Sequence, residues 1–254
     1  MREIDVKTFY NTLADEYDSM TAFNQRLIKE ESLFRSIVEK HKIKTALDAG
    51  SGTGIHSLLL AQAGVEVTAV DISQKMLHLL SVHAQDKKLR VKTIKADFLN
   101  LRKKIRSKFD AIFCMGNSLV HAKTQRELKI ILSNFHTLLN PNGVLLIQIL
   151  NYDRIISKRE IIQSIKESNG KTFIRFYGFD KDHINFNILT IERKGGLLEH
   201  KIQATRLRPI MQKEILKSLK EVGFKKIQSL GKLNGNKFSK NTSKDLSIIA
   251  NKSC

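Results

Sequence analysis

Short apolar runs alternate with segments of helical length through the first 150 residues of the chain. The apolar runs begin at residues 45, 65, 91, 109 and 144. Between them, residues 55–63 form an apolar segment of helical length and residues 124–139 an amphipathic one. Strands that alternate with helices form a parallel sheet with helices on its faces. The pattern therefore predicts an α/β core.

A different pattern precedes this core. Residues 5–40 are predicted to be helical, because Phe9, Leu13 and Tyr17 recur every four residues and form one apolar face. A polar break divides this region into two segments. It is expected to form a helical cap over residues 1–40.

The pattern changes again after residue 153. Residues 154–170 are predicted to be helical, whereas apolar and polar residues alternate with period two from 171 to 208. Gly195 and Gly196 supply a turn within this stretch, so an antiparallel meander is expected. We interpret residues 154–208 as an insertion that lies over the active site.

The last part of the chain is predicted to complete the main sheet. A helix at 211–222, ended by Gly223, precedes strands at 224–230 and 245–250. Together with the core at 41–153, this segment, 209–254, gives a single domain with a mostly parallel seven-stranded sheet and a reversed last strand.

A glycine-rich turn follows the first apolar run. Gly50, Gly52 and Gly54 stand at alternate positions, with Asp48 before them and Asp71 at the end of the second run. Glycines let the backbone turn sharply and approach a ligand closely. A carboxylate at the end of the second strand can accept hydrogen bonds from both hydroxyls of a ribose. The arrangement predicts a nucleotide-type binding site; an ordinary tight turn is the alternative.

The spacing of these residues resembles motif I of the class I S-adenosylmethionine-dependent methyltransferases. Their pattern has an acid before the first glycine, as Asp48 stands here, rather than the G-x-G-x-x-G of dinucleotide binders. The resemblance implies a Rossmann-like doubly wound fold and S-adenosyl-L-methionine as the cofactor. Asp48 would then help to hold the cofactor ammonium, Asp71 would bind its ribose, and Ile72 would be a further cofactor-binding residue.

Further cofactor residues are implied by the same resemblance. Tyr10 and Tyr17 lie on the helix that roofs the cofactor in small-molecule methyltransferases. Arg26 stands 22 residues before Asp48, as does an arginine that binds the cofactor carboxylate in the glycine N-methyltransferase-like branch. An acid and an apolar residue after the third strand hold the adenine in the family. Asp97 and Phe98 occupy these positions.

The segment 115–121 resembles the methyl-donor end of glycine and sarcosine N-methyltransferases. Met115 would contact the cofactor, the Asn117 amide would orient the substrate, and His121 would take a proton. Asn151-Tyr152-Asp153 matches a triplet of the same branch. However, Leu150 stands where glycine-binding members have an arginine for the substrate carboxylate, so a glycine-type substrate is not expected.

Composition raises one alternative. The net charge is +19, which is compatible with an RNA partner. The basic residues are mostly scattered lysines, with no aromatic-interleaved basic strand, so a nucleic-acid partner is possible but not favoured. The two cysteines, Cys114 and Cys254, form neither a disulfide framework nor a metal site.

No apolar segment is long enough to span a membrane, and the first ten residues lack the apolar region of a signal peptide. A cytoplasmic protein is therefore expected. The leading hypothesis is a methyltransferase acting on a small molecule, possibly an amine, without a metal. The alternatives are an RNA or protein methyltransferase and a non-catalytic cofactor-binding protein. The oligomeric state is not predicted.

Overall fold

The computed structural model describes residues 5–253. The first four residues, on which the signal-peptide expectation partly rests, and Cys254 lie outside this range. The strands in chain order are β1 (Thr45–Ala49), β2 (Glu66–Asp71), β3 (Val91–Lys95), β4 (Phe109–Cys114), β5 (Leu139–Leu150), β6 (Ile162–Ser168), β7 (Lys171–Phe179), β8 (Ile184–Lys194), β9 (Leu197–Leu207), β10 (Lys225–Leu230) and β11 (Asp245–Asn251).

Seven of these strands form the main sheet, in the order β10-β11-β5-β4-β1-β2-β3. β1 to β5 pair in parallel, whereas β11 runs antiparallel to both β5 and β10. The predicted fold class, with its reversed last strand, is confirmed. Because the carboxyl ends of β1, β2 and β4 lie at one edge of the sheet, the loops that follow them meet there.

Helices cover the sheet and its carboxyl edge. They are α1 (Val6–Thr21), α2 (Phe23–His41), α3 (Ile55–Gln62), α4 (Gln74–Asp86), α5 (Leu101–Lys104), α6 (Gln125–Leu138), α7 (Tyr152–Lys158) and α8 (Gln212–Val222), with single 3-10 turns at Phe98–Asn100 and Ser118–His121. Ser73 caps the start of α4, since its Oγ accepts a hydrogen bond from the Met76 amide.

The core consists of apolar layers on the two faces of the main sheet. One layer packs Leu128, Leu132 and Phe135 of α6 against the strands, and the other packs Leu58 and Leu59 of α3. Cys114 is fully buried in the first layer, and burial raises the pKa of its thiol. Buried structural cysteines of this kind are chemically inert.

β6 to β9 form a separate four-stranded antiparallel sheet, here called the insertion sheet. The meander expected from residue 171 onward is therefore confirmed. The helix predicted for residues 154–170 is wrong in its second half, because α7 ends at Lys158 and β6 begins at Ile162. β6 pairs with β7, and this pairing overrides a local pattern that also fits a helix face.

A smaller difference concerns residues 140–143, which stand between the predicted helix and the apolar run that begins at residue 144. They lie within β5 instead. The register of β4 against β5 shifts there, from Phe109 opposite Leu139 to Ala111 opposite Val144, so the extra residues form a bulge.

Candidate active site

A cavity of about 820 Å³ lies at the carboxyl edge of the main sheet, beneath α1. Its wall includes twelve of the fourteen predicted site residues: Tyr10, Tyr17, Arg26, Gly50, Gly52, Gly54, Asp71, Ile72, Asp97, Phe98, Met115 and His121. The size is typical of a small-molecule site. Four segments that are distant in sequence therefore meet around one space.

The three positions of the turn require glycine for different structural reasons. All three have positive φ, which is strained for residues with a side chain. A Cβ at Gly50 would lie 2.6 Å from Ser118 Oγ, and one at Gly54 would lie 2.5 Å from Leu80 Cγ. At Gly52 the nearest atom would be 3.6 Å away, on the Tyr17 ring. Gly50 and Gly54 thus allow close packing, whereas Gly52 leaves the cavity floor open.

Asp71 lies at the end of β2, where the sequence predicted it. Its Oδ2 accepts a hydrogen bond from the Gly52 amide at 2.9 Å, and its Oδ1 accepts one from the Ser73 amide at 2.8 Å. Burial raises the pKa of this carboxyl to about 6, although the backbone donors oppose the shift. The side chain connects the glycine turn to the start of α4 and has lone pairs left for a ligand.

Asp48 differs from its expected position, because it does not line the cavity. It is fully buried beneath the glycine turn. One carboxylate oxygen accepts a hydrogen bond from Ser57 Oγ at 2.6 Å, and the other has no hydrogen-bond partner within residues 5–253. Burial raises the pKa of this carboxyl. The Asp48 side chain therefore joins the end of β1 to the start of α3 and does not face the cavity.

Arg26 belongs to a polar group that joins α2 to α3. Its Nε and Nη2 donate to the two carboxylate oxygens of Glu30, at 2.7 and 3.2 Å. Nη2 also lies 3.1 Å from His56 Nε2, which must accept because a guanidinium only donates. These contacts fix the guanidinium at the cavity wall and leave Nη1 outside them.

The residues after β3 are held by a local turn. Both carboxylate oxygens of Asp97 accept from Asn100, through its amide nitrogen atoms at 2.8 to 3.0 Å. Phe98 packs its ring at 5.8 Å, edge-on, against Phe135 of α6. The cavity therefore has an acid beside an anchored aromatic ring at this end.

The opposite end of the cavity carries an aromatic–imidazole pair. The hydroxyl of Tyr10 lies 3.0 Å from His121 Nε2, and the rings meet edge to face. Burial lowers the pKa of His121 to about 4, so the imidazole is neutral at pH 7. His121 Nδ1 has no hydrogen-bond partner among the residues that the structure describes. Tyr10 lies on α1 and His121 lies in the 3-10 turn after β4. Neither sequence position by itself therefore predicts the contact.

Asn117 does not line the cavity, contrary to the role expected for its amide. It adopts a left-handed conformation with φ of 70°. Its Nδ2 donates to the Tyr152 hydroxyl at 2.8 Å, and its Oδ1 accepts from the Leu150 amide at 3.0 Å. The side chain is thus used to join the segment after β4 to the end of β5.

Several wall residues were not predicted. Ser51 and Thr53 lie between the glycines, and their buried hydroxyls have no hydrogen-bond partner in the described part of the chain. Their place in the motif was a usable sequence signal. Arg208, just after β9, also lines the cavity and donates from Nε to the Ala122 carbonyl at 3.0 Å. No sequence pattern relates Arg208 to this site, because the insertion sheet brings it there.

The wall suits a nucleoside that carries an amino-acid chain. It offers a carboxylate at a strand end, unpartnered hydroxyls in an open glycine turn, an aromatic ring beside an acid, and a guanidinium. Within residues 5–253, no group of three or more histidine, cysteine or acidic residues is arranged to hold a metal. No helix in the same range is both long and apolar enough to cross a membrane.

Comparison with known proteins gives a consistent family. Residues 46–143 match a family model described as "Methyltransferase domain". The chain is 25% identical over 234 residues to a glycine/sarcosine N-methyltransferase of Parasynechococcus marenigrum, covering 91% of this chain and 81% of the relative. It is 31% identical to the enzyme of that name from Aphanothece halophytica, over 57% of this chain and 54% of the relative.

A solved structure of another methyltransferase shares this fold. An S-adenosylmethionine-dependent methyltransferase from Clostridium acetobutylicum superposes with a TM-score of 0.81 at 20% identity, over 96% of this chain and 99% of that one. The motif, the strand order and the sequence matches agree. Residues 46–143 therefore form a methyltransferase domain, and the chain as a whole has the fold of the class I S-adenosylmethionine-dependent methyltransferases.

Proposed function

We propose that this enzyme transfers the methyl group to a nitrogen atom of a small-molecule amine held inside the cavity. The observation that carries this proposal is the pair formed by Tyr10 of α1 and His121, whose hydroxyl and Nε2 lie 3.0 Å apart at the cavity wall. The names of the sequence relatives support it, since those proteins act on glycine and sarcosine at nitrogen.

Within this proposal, the wall residues divide into two groups. Arg26 pairs with the cofactor carboxylate, Asp71 accepts from the ribose hydroxyls, and Asp97 with Phe98 holds the adenine. The bound cofactor supplies a sulfonium methyl group, which is already electrophilic. The remaining task of the protein is alignment, because orientation in a near-attack geometry accounts for a large part of such a barrier.

Tyr10 and His121 orient the acceptor nitrogen. A neutral imidazole can accept a hydrogen bond from an amine N–H and so direct the nitrogen lone pair towards the methyl carbon. Because its pKa is about 4, His121 does not store a proton at neutral pH. We therefore assign it an orienting role in place of the proton acceptor expected from sequence, with the amine entering in its neutral form.

Glycine itself is not the substrate that we propose. Leu150 stands where the glycine-binding branch has arginine, and its side chain offers no partner for a carboxylate. The insertion adds His183 and Arg208 to the cavity wall. Because these side chains are polar, they favour an amine with additional polar groups.

An RNA or protein acceptor is less well supported. A polymer needs an open groove, whereas α1 and the insertion both contribute to the walls of this cavity. Retention on RNA would fall steeply with salt if the positive charge served this purpose. Absence of retention at low salt would discard that alternative.

The direct test measures binding and turnover separately. Calorimetry with S-adenosylmethionine should show one site per chain. Incubation with labelled donor and pooled small amines should then give products heavier by one methyl group. Binding without turnover on any amine would contradict the proposed acceptor class, and a folded protein that does not bind the donor would contradict the proposed cofactor site.

A further inference from the structure

Within residues 5–253, the insertion sheet has one covered face and one apolar face without a partner. On the covered side, Phe173 and Ile188 pack against Phe9 and Leu13 of α1. Side chains alternate between the two faces of a strand, so their neighbours Ile174 and Leu189 point the other way. The opposite side is here called the outer face.

The outer face carries a continuous apolar row. The strand register places Ile165 opposite Ile174, Ile174 opposite Leu189, and Leu189 opposite Ile202, so the row crosses all four strands. On both sides of this row the same face adds further apolar side chains: Ile162, Phe176, Ile191 and Leu198.

These side chains are not part of the protein core. Within residues 5–253, none of the four residues of the row belongs to any of the three core clusters. At the two edges of the sheet, Ile165 is 61% exposed and Leu198 is 67% exposed. Solvent-facing sides of antiparallel sheets are normally polar, so this face is unusual for a surface left in water.

The dimensions suit an interface between two copies. Four strands at a spacing of ~4.8 Å, each about nine residues long at ~3.3 Å per residue, give a face of roughly 19 by 30 Å. Side-chain relief increases the accessible area above this flat value of about 570 Å². A stable interface buries on the order of 600–1,000 Å² per partner.

We propose that a second copy of this chain packs its outer face against the first, with a two-fold axis parallel to the strands. This axis exchanges the two edges of the sheet, so Ile165 meets Ile202 of the other copy and Ile174 meets Leu189. The row is then self-complementary, as an isologous interface requires. Two aligned sheets pack ~10 Å apart in this way.

The test is sedimentation equilibrium of the full chain at micromolar concentration. The wild-type protein should have twice the chain mass of 29.0 kDa. Ile174→Glu and Leu189→Lys should each be monomeric, because each homodimer would bury two unpaired charges. Ile28→Glu is the matched control; Ile28 is 80% exposed on α2, away from the sheet, and this variant should stay dimeric.

Mixing the two charged variants tests the axis. In the mixed dimer, the introduced acid faces the introduced base once, and the second Ile174–Leu189 contact is unchanged. Dimers should therefore reappear in the equimolar mixture, with at least a tenfold lower dissociation constant than for either variant alone. Circular dichroism and donor binding should be unchanged in every variant.

A monomeric wild-type protein, or dimeric single variants, would overturn the proposal, and failure of the mixture to dimerise would overturn the stated axis. A monomer that binds vesicles of phosphatidylcholine and phosphatidylserine through Ile174 and Leu189 would assign the face to a lipid surface instead.

Discussion

Asp71 combines a buried position with two backbone donors, and this combination makes its charge sensitive to mildly acidic pH. Both carboxylate oxygens are required, because one accepts from Gly52 and the other from Ser73. An asparagine would direct its NH₂ group at one of these amides. The residue therefore supports the turn and, in our proposal, also binds the cofactor ribose.

We expect the cofactor affinity to fall as the pH decreases through about 6, the pKa of the Asp71 carboxyl. The protonated acid cannot accept two hydroxyl hydrogen bonds, so affinity should approach a loss of about tenfold per pH unit below this value. Calorimetry between pH 5 and 8 would measure it. In Asp71→Asn the affinity should be low and independent of pH, whereas Asp15→Asn, at an exposed carboxyl of α1, should resemble the wild type. A wild-type affinity that is constant down to pH 5 would contradict this role.

Tyr10 and His121 should affect turnover more than donor binding. We expect Tyr10→Phe and His121→Gln to lower kcat by about 10- to 100-fold, because each removes one member of a pair that aligns the acceptor. Donor affinity by calorimetry should change less than about threefold, since our proposal assigns neither side chain to the cofactor. His78→Gln, at an exposed histidine, is the control. Equal losses in donor binding and turnover would show that the pair serves the cofactor instead.

At the scale of elements, the first βαβ unit depends on a close approach between the glycine turn and α4. Gly54 precedes α3 with φ of 101°, and a Cβ there would meet Leu80 Cγ at 2.5 Å. Gly64 has a similar φ of 84° but nothing within 4 Å. Comparing substitutions at the two positions therefore separates the cost of backbone strain from the cost of steric overlap.

We expect Gly54→Ala to lower the free energy of unfolding by about 2–4 kcal/mol, from left-handed strain together with overpacking. Gly64→Ala has the strain alone and should cost about 1–2 kcal/mol. Urea unfolding followed by circular dichroism measures both. Leu80→Ala added to Gly54→Ala should cost less than the two single changes summed. Equal effects at the two glycines would refute the packing argument.

At the scale of the whole molecule, His83 connects α1 to the glycine turn. Its Nε2 lies 3.1 Å from Asp18 Oδ2 of α1, and its Nδ1 lies 2.9 Å from the Thr53 carbonyl in the glycine turn. Both partners are acceptors, so only the protonated imidazole satisfies both contacts. The hydrogen bond with Asp18 raises the pKa of His83 above its usual 6.5.

This arrangement gives stability that depends on pH. A raised histidine pKa contributes fully below the unfolded value of 6.5, and the contribution is lost as the pH rises through the folded pKa. The partly exposed pair should contribute less than about 1 kcal/mol. We expect wild-type protein to lose more stability than His83→Gln between pH 6 and 9, measured by urea unfolding. Parallel pH profiles for the two proteins would contradict the link.

Local chemistry explains why much of this protein follows from its sequence. Alternating strands and helices define the α/β core, and the βαβ unit keeps Gly50–Gly54 and Asp71 within one short segment, so their meeting needs no long-range information. The second half of the predicted helix at 154–170 failed because a partner strand decides the structure of residues 162–168.

Only the tertiary structure decided which side chains reach the cavity and which faces stay open. Asp48 and Asn117 have the expected residue types, yet one is buried below the turn and the other bonds Tyr152. The Tyr10–His121 pair joins residues 111 positions apart, and the insertion sheet brings Arg208 to the same wall. The sequence by itself determined the fold and the cofactor, because both depend on short-range motifs. Packing between distant segments decided which side chains form the proposed acceptor end of the cavity and which face of the insertion sheet stays exposed.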